Sequence, residues 1–192
     1  MVQSDRHRRQ EGGAGQEGFG QGASLSLRAM LWSLAVRMMS RLRGAAPETP
    51  PLPAAAGKRQ RAAIAIVEGG RILLIHRIKP GKDYYVLPGG GIKRRETAAI
   101  ACVRETREET GLNVHLGGIL CVLDAKDRVE HVFLARSHAG ELRLGGPELA
   151  KMGPDNQYRL EWLDREQLQR IKLKPKGLLP HCLALLEHVA GR

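Results

Sequence analysis

The chain lacks long apolar runs and is poor in cysteine. Its 192 residues include only three cysteines, which lie far apart and form no Cys-x-x-Cys pair. This argues against a disulfide scaffold or a cysteine-based zinc site, and it indicates reduced thiols and a cytoplasmic location. No run approaches the roughly 18 apolar residues that a membrane-spanning helix needs, so no integral membrane segment is expected. Hydrophobic residues nevertheless make up 42% of the chain, which excludes full-length disorder.

Acidic residues are outnumbered. The chain holds 31 Lys and Arg against 20 Asp and Glu, a formal net charge of +11. Ten of the basic residues and four of the acidic ones lie within residues 1–61, so much of the excess belongs to the N-terminal part. A positive chain attracts polyanionic ligands such as nucleotides or nucleic acid, although attraction does not define a reaction.

Residues 1–57 differ in composition from the rest of the chain. Residues 1–23 are rich in Gly, Gln, Arg and Glu, which predicts disorder. Residues 24–43 repeat Leu and Met at steps of three or four beside arginines, which predicts a basic amphipathic helix. A linker rich in Pro and Ala follows over residues 44–57. The helix is compatible with packing on the domain, contact with an anionic membrane surface or an organelle presequence, and these alternatives stay open.

Residues 58–192 have the pattern of one α+β domain. Two apolar runs, 62–68 and 71–77, are joined by Gly69-Gly70 and predict a hairpin. A helix is predicted from about Arg95 to Thr110, where Gly111 stops it. Because strands outnumber helices, we expect a sandwich with helices on the faces of a mixed sheet. Further strands are predicted at 84–87, 116–123, 129–136, 141–144 and 158–163, and further helices at 165–170 and 178–189.

One stripe of the predicted helix at 95–110 is suited to the core. Ala99, Cys102, Val103 and Thr106 fall at positions i, i+3, i+4 and i+7. This spacing places the four side chains along one helix face, which we expect to pack against the sheet.

Another face of the same helix carries three glutamates, Glu105, Glu108 and Glu109. Their spacing gathers the carboxylates within about 100° of arc. Like charges at i and i+4 destabilise a helix by roughly 0.2–0.5 kcal/mol, and the helix dipole disfavours anions in the last turns. A bare acidic cluster is usually a solvated face. The three glycines before the helix argue instead for a ligand site, and an all-oxygen set favours Mg²⁺ or Mn²⁺.

Residues 90–112, GGIKRRETAAIACVRETREETGL, resemble the Nudix box. That family pattern is Gly, five residues, Glu, seven residues, Arg-Glu, an aliphatic residue, any residue, Glu-Glu, any residue and Gly. Thr106 is the one departure, because an aliphatic residue is usual there. The preceding Leu-Pro-Gly-Gly and the later Glu161-Trp162 also resemble the family, over about residues 60–190. All seven fixed positions match: Gly90, Glu96, Arg104, Glu105, Glu108, Glu109 and Gly111.

The resemblance implies a Nudix fold, an α/β/α sandwich with a mixed β-sheet. It also implies hydrolysis of a nucleoside diphosphate linked to another group, by water attack at phosphorus with a divalent metal ion. We expect Mg²⁺ as cofactor, with Mn²⁺ as the alternative. The implied metal ligands are Glu105, Glu108, Glu109 and the Gly89 carbonyl. Glu105, Glu108 and Arg104 are the catalytic candidates, with Glu108 as a ligand or general base and Arg104 as the residue that holds the carboxylates.

Residues that contact the substrate are predicted in the glycine segment, Gly89-Gly90-Gly91, and in the chain before it. Arg77 is a candidate phosphate contact, with a solvated edge charge as the alternative. Gly90 and Tyr85 are further candidates, since a tyrosine ring can stack on a base. Core packing is the alternative for Tyr85, and His76 is expected to be an ordinary sheet residue.

An additional acidic ligand is expected from a later loop. Glu130, Glu148 and Asp155 are the candidates, and the sequence does not choose among them.

The sequence leaves the substrate open among nucleoside triphosphates and nucleotide conjugates. We expect a small-molecule nucleotide as the partner and no DNA, and the sequence leaves a homodimer open. The alternatives are pyrophosphate removal from an RNA 5′ end, which the basic charge favours, and a nucleotide-sensing module without turnover. The intact glutamate cluster argues against the sensing module.

Overall fold

The computed structural model describes residues 57–191. The predicted N-terminal tail, the helix at 24–43 and the linker that follows it lie outside the described residues. Within the described part, no helix is long and apolar enough to cross a membrane.

The described residues form nine strands and four helices. The strands are β1 (Arg59–Ala65), β2 (Val67–Glu68), β3 (Arg71–Lys79), β4 (Lys82–Val86), β5 (Gly89–Gly91), β6 (Asn113–Asp124), β7 (Arg128–Ala139), β8 (Gln157–Leu163) and β9 (Leu173–Lys174). The helices are α1 (Ala98–Thr110), α2 (Gly146–Ala150), α3 (Arg165–Arg170) and α4 (Leu178–Ala190).

The strands form two mixed sheets. The first has the order β5-β1-β7-β6, in which β1 runs parallel to β7 and antiparallel to β5. In the second, β3 pairs antiparallel with β2, β4 and β8, and β9 adds in parallel to β4. Helix α1 packs on the first sheet, whereas α3 and α4 contact strands of the second. The predicted α+β sandwich is confirmed, with two sheets where one was expected.

The predicted hairpin forms, but its first strand is divided. Val67 and Glu68 pair with the start of β3, and Gly69 and Gly70 make the turn with φ of 55° and 73°. Residues 62–65 belong to β1 instead and pair with β5 and β7 in the other sheet. These four residues are at most 1% exposed. A strand buried on both faces reads as one continuous apolar run, so the sequence did not reveal where the chain changes sheets.

The strand predicted at 141–144 is wrong. The backbone N–H groups of Arg143 and Gly145 donate to the carbonyls of Thr110 and Glu109, at 2.9 and 3.0 Å. The last carbonyls of a helix have no partners within the helix. This segment therefore follows the C-terminal end of α1 rather than joining a sheet.

Helix α1 begins three residues later than predicted. The hydroxyl of Thr97 accepts from the Ile100 N–H at 3.2 Å and caps the helix, which ends at Gly111 as expected. The predicted core stripe is partly wrong, because Val103 is 37% exposed and Ala99 only half-buried. The fully buried side chains of the helix include Ala101, Cys102 and Thr106.

Thr106 fits the core in place of an aliphatic residue. Its hydroxyl donates to the Cys102 carbonyl at 2.7 Å, one turn earlier, so the buried oxygen has a partner. Its methyl group then packs as an apolar side chain would. The surrounding core joins α1 to both sheets, with Ile64, Leu73 and Phe133 among its buried members.

Candidate active site

Two glycines of β5 allow this strand to lie close to β1 and to helix α1. Gly89 has φ of 144°, which favours glycine, and a Cβ there would collide with the carbonyl of Ala62 on β1. A Cβ on Gly90 would collide with the carboxylate of Glu105. The bare backbone of β5 therefore leaves the space in which the Glu105 carboxylate lies.

Arg104 donates hydrogen bonds to several carboxylates beside the contact between β5 and α1. Its Nε and one terminal nitrogen donate to Glu96 at 2.7 and 2.9 Å. The other terminal nitrogen donates to Glu105 at 2.7 Å and to Glu108 at 3.2 Å. The hydrogen bond from Arg104 lowers the pKa of Glu96 to about 2. Arg104 thus contacts three of the box glutamates, and the geometry is that of a positioning residue.

Glu109 lies deeper than the other two glutamates of the cluster. Its side chain is nearly fully buried, and one carboxylate oxygen accepts from the Gly89 N–H at 2.6 Å. The other oxygen lies 3.9 Å from a terminal nitrogen of Arg77. Burial raises the pKa of Glu109 to about 8, against the effect of the Gly89 hydrogen bond. A carboxylate in this position is stabilised by any cation that approaches it.

Among the candidates for the additional acid, Glu148 is the one brought to Glu109. It lies on the short helix α2, is nearly buried, and accepts from Arg77 at 3.1 Å. Glu130 is 1% exposed and pairs with Arg61 at 2.6 Å, while Asp155 is exposed. The short helix α2 was not predicted, although a proline in its first turn is a sequence signal for a helix start.

Arg61 is a residue of the site that the sequence did not indicate. From β1 it donates to the carbonyl oxygens of Gly89 at 2.6 Å and Leu87 at 3.2 Å, while Glu130 holds its other terminal nitrogen. The Gly89 carbonyl is one of the expected metal ligands, so Arg61 fixes its orientation. No motif marks Arg61, because it reads as the ordinary start of an apolar strand.

The two predicted substrate side chains lie on opposite faces of the second sheet. Tyr85 is opposite His76 in the register, and their rings stack at 4.0 Å. Its hydroxyl donates to Glu161 at 3.1 Å, and burial raises the pKa of Tyr85 to about 12. Arg77 pairs in register with Tyr84, which therefore shares its face. Tyr158 on β8 is also paired with Arg77, whose guanidinium carbon lies 5.3 Å from the centre of its ring. Tyr84 and Tyr158, rather than Tyr85, are therefore the tyrosines beside Arg77.

His76 is held by both of its ring nitrogens. Nδ1 lies 2.9 Å from Glu161 and Nε2 lies 2.8 Å from Asp83, so the ring joins three strands. This is the arrangement of a sheet residue with satisfied polar atoms, as the sequence suggested.

The donor set of the site consists of oxygen atoms. An all-oxygen set of this kind suits a hard divalent ion. Within residues 57–191, no three His, Cys, Asp or Glu side chains lie close enough together to hold a metal ion. Arg104 binds Glu105 and Glu108, the Gly89 N–H binds Glu109, and Arg77 binds Glu148, so these carboxylates are engaged with three different donors. The residues therefore fit a divalent ion by type, and binding requires the glutamates to exchange these partners for the ion. The candidate donors are Glu105, Glu108, Glu109, Glu148 and the Gly89 carbonyl.

Known proteins are similar to this chain in sequence or in fold. The ADP-ribose pyrophosphatase of Methanocaldococcus jannaschii is 38% identical over 87 residues, which cover 42% of this chain and 52% of that protein. The chain thus spans about half the length of this curated relative.

Two solved structures are also similar. A MutT NUDIX hydrolase of Burkholderia pseudomallei is 30% identical with a TM-score of 0.50, covering 66% of this chain and 95% of that one. The Escherichia coli ORF135 protein is 25% identical with a TM-score of 0.54, covering 73% of this chain and 98% of that one. Residues 58–182 match the NUDIX domain, the segment that contains the glycines, the glutamates and the arginines described above. The chain belongs to the Nudix hydrolase family.

Proposed function

We propose that the chain is a Mg²⁺-dependent hydrolase that cleaves a phosphoanhydride bond in a nucleoside diphosphate-linked substrate by water attack at phosphorus. The observation that supports it best is the contact of Arg104 with Glu105 and Glu108 beside the buried Glu109, under the bare backbone of β5. ADP-ribose is the first substrate to test, because the similar Methanocaldococcus jannaschii protein is an ADP-ribose pyrophosphatase.

The glutamates and the Gly89 carbonyl would hold the ion. When bound, a divalent ion neutralises phosphate charge and lowers the pKa of water. Arg104 holds Glu105 beside β5, where Gly90 leaves room for that carboxylate. Arg77 is the cation nearest to Glu109 and offers its guanidinium to a phosphate oxygen.

Glu108 is the proposed acceptor of the proton from the attacking water. Its side chain is 41% exposed, whereas that of Glu105 is 13% exposed. The contact between Arg104 and Glu108 is also longer than the contact between Arg104 and Glu105. Glu108 is therefore the carboxylate of the cluster that is most accessible to water.

The experiment measures product release from ADP-ribose, nucleotide sugars, nucleoside triphosphates and dinucleoside polyphosphates with Mg²⁺. Glu108→Gln should lower kcat by about 100-fold or more, the usual effect of removing a general base. Glu166→Gln is the matched control, since that side chain is 80% exposed on α3. If no substrate is cleaved while nucleotide binding persists, the chain is a sensing module instead.

RNA 5′-end pyrophosphate removal is the second candidate. The net charge of +11 favours it, because basic side chains attract the phosphate backbone. Triphosphorylated RNA therefore belongs in the same substrate panel, and release of pyrophosphate from it in preference to ADP-ribose cleavage would establish this alternative.

A further inference from the structure

A cavity of about 350 Å³ lies beside the C-terminal end of α1. Arg107 and Glu108 line it from the helix, and Arg143, Leu144 and Leu149 line it from the segment that follows β7. Its volume falls within the range of small-molecule sites. Glu108 borders the cavity and also belongs to the glutamate cluster, so the cavity adjoins the proposed reaction centre.

The backbone holds the walls of this cavity in place. The N–H groups of Arg143 and Gly145 are bound to the last carbonyls of α1. The side chain of Arg143 lies across Gly111, where a Cβ would come within 2.8 Å of its Cγ. A Cβ on Gly145 would come within 2.5 Å of the Glu108 carbonyl oxygen. Glycines at these positions therefore allow the segment to lie directly on the helix, where it forms one wall of the cavity.

The two arginines of the cavity differ from the other arginines near the site. Arg61, Arg77 and Arg104 each pair with a carboxylate. Neither Arg107 nor Arg143 has a hydrogen-bond or ion-pair partner for its guanidinium within residues 57–191. The cavity is therefore lined by two exposed arginines whose guanidinium groups have no partner within the described residues.

The charges of the cavity favour an anion with several oxygen atoms. The two guanidinium groups outweigh the single carboxylate of Glu108, which already has Arg104 as a partner. A guanidinium presents a planar fork of donors that matches phosphate oxygens two at a time. Two such forks on one cavity therefore suit a phosphate group better than a singly charged carboxylate.

We propose that this cavity binds a terminal phosphate of the substrate, one that lies beyond the anhydride bond to be cleaved. This inference rests on the proposed hydrolase function and deepens it by naming the substrate class. The enzyme prefers nucleoside diphosphate conjugates whose far end carries a phosphate over conjugates whose far end is a neutral sugar. Glu108 separates the two sites, so the far phosphate enters the cavity while the anhydride lies at the glutamates.

A purely structural role for these arginines makes a different prediction. Arg107 lies in the last turn of α1, where a cation stabilises the helix dipole. Such a role changes the free energy of unfolding and acts equally on all substrates. The proposed role changes the choice between substrates, and it locates phosphate in the cavity.

The kinetic experiment compares ADP-ribose with ADP-ribose that carries a phosphate on its terminal ribose. In the full chain, we expect the ratio of their kcat/KM values to favour the phosphorylated substrate. Replacing Arg107 and Arg143 together by Gln should lower that ratio at least about tenfold, because the variant loses the charged donors to the far phosphate. Arg71→Gln is the matched control, an exposed arginine at the start of β3, and should leave the ratio unchanged. An equal loss on both substrates, or no loss, would overturn the proposal.

A second measurement does not depend on turnover. Inorganic phosphate is titrated into the metal-free protein while the backbone amide resonances of Gly111, Gly145 and Gly146 are followed by NMR. We expect these resonances to shift in the wild type and to shift much less in the variants Arg107→Gln and Arg143→Gln, made singly in case the double variant does not fold. Phosphate binding without any kinetic preference would make this a product site and overturn the substrate claim. If no substrate of the panel is cleaved but phosphate still shifts the cavity resonances, the proposed function fails while the cavity remains an anion site.

Discussion

At the scale of single residues, Gly90 offers the sharpest test of the site. A Cβ on Gly90 collides with the Glu105 carboxylate, whereas a Cβ on the adjacent Gly91 meets no atom within 4 Å. Neither glycine has a positive φ, so the substitution to Ala strains neither backbone. Gly90→Ala should therefore displace Glu105 and lower kcat/KM by about 10- to 100-fold, since small misplacements in a site have effects of this size. Gly91→Ala should remain close to wild type in the same assay, and equal losses in both variants would contradict this role of Gly90.

We expect Arg104 to act on the site through the geometry of its hydrogen bonds more than through its positive charge. A lysine keeps the positive charge but cannot donate to Glu96 and Glu105 from a planar fork. Arg104→Lys should lower kcat/KM by about 10- to 100-fold, which corresponds to about 1.5–3 kcal/mol of lost charged hydrogen bonds. Arg165→Lys on α3 is the control, because that arginine is half-exposed and pairs with Glu187, away from the site. Wild-type kinetics in Arg104→Lys would show that charge alone is sufficient.

Glu96 gives the folded state a pH dependence. Its folded pKa of about 2 lies below the ordinary value of 4.5, chiefly because of the hydrogen bond from Arg104. A carboxylate with a lowered pKa stabilises the folded state fully above its unfolded pKa and loses that effect as the pH falls through the folded value. Wild type should exceed Glu96→Gln in free energy of unfolding above pH 4.5, with the difference vanishing near pH 2. Urea denaturation across this range measures it, and a difference independent of pH would contradict it.

The residues that could be predicted are those that form a periodic pattern. The three glutamates of α1 follow one another at helical spacing, so their shared face could be inferred from the sequence alone. Arg61 lies on a strand and Glu148 on a short helix, and only the folded chain brings Arg61 to Gly89 and Glu148 to Arg77. Tyr84 and Tyr85 are adjacent, and the sequence offers no sign of which of them faces Arg77. Strand alternation separates the two faces but does not say which face meets the site.

At the scale of elements, the segment after β7 matters because it lies directly on α1. It follows the C-terminal end of the helix through backbone hydrogen bonds and leads into α2, which carries Glu148. The sequence predicts a strand at residues 141–144. Instead, the backbone N–H groups of this segment donate to the carbonyls at the end of α1, which have no partners within the helix.

Gly145→Ala tests this contact. A Cβ at Gly145 would lie 2.5 Å from the Glu108 carbonyl oxygen, so the segment must shift away from the helix. We expect the free energy of unfolding to fall by about 1–3 kcal/mol, as in other overpacked sites. The activity should fall as well, since Glu148 moves with the segment. Gly153→Ala, where a Cβ meets nothing within 4 Å, is the control and should change neither quantity.

At the scale of the whole molecule, the charge of the chain concerns the choice between RNA and small nucleotides. Residues 1–56 carry seven Lys and Arg and four Asp and Glu, so the remaining chain retains a net charge of +8. Lys58, Arg59 and Arg61 supply half of the net charge of +6 counted over residues 1–61, and they belong to the domain that contains the site. A nucleic acid strand would be bound by that charge only if the basic side chains form a continuous path that leads from the site. The salt dependence of the affinity measures whether they do.

The dependence of KM on salt distinguishes the two substrate classes. Each phosphate of a single strand that a protein neutralises contributes a slope of about −0.7 to the plot of log affinity against log salt. A small nucleotide conjugate contacts few cations, so we expect a shallow slope for ADP-ribose. An RNA substrate that uses the positive surface of the domain would show a steeper slope, because several phosphates would be neutralised.

Removing residues 1–56 should leave kcat/KM for ADP-ribose within about twofold, because every candidate site residue lies between Arg61 and Glu148. A steep RNA slope that survives this removal would place the RNA contact on the domain and make RNA ends the substrate class. Equal, shallow slopes for RNA and ADP-ribose would instead leave the small nucleotide conjugate as the substrate class.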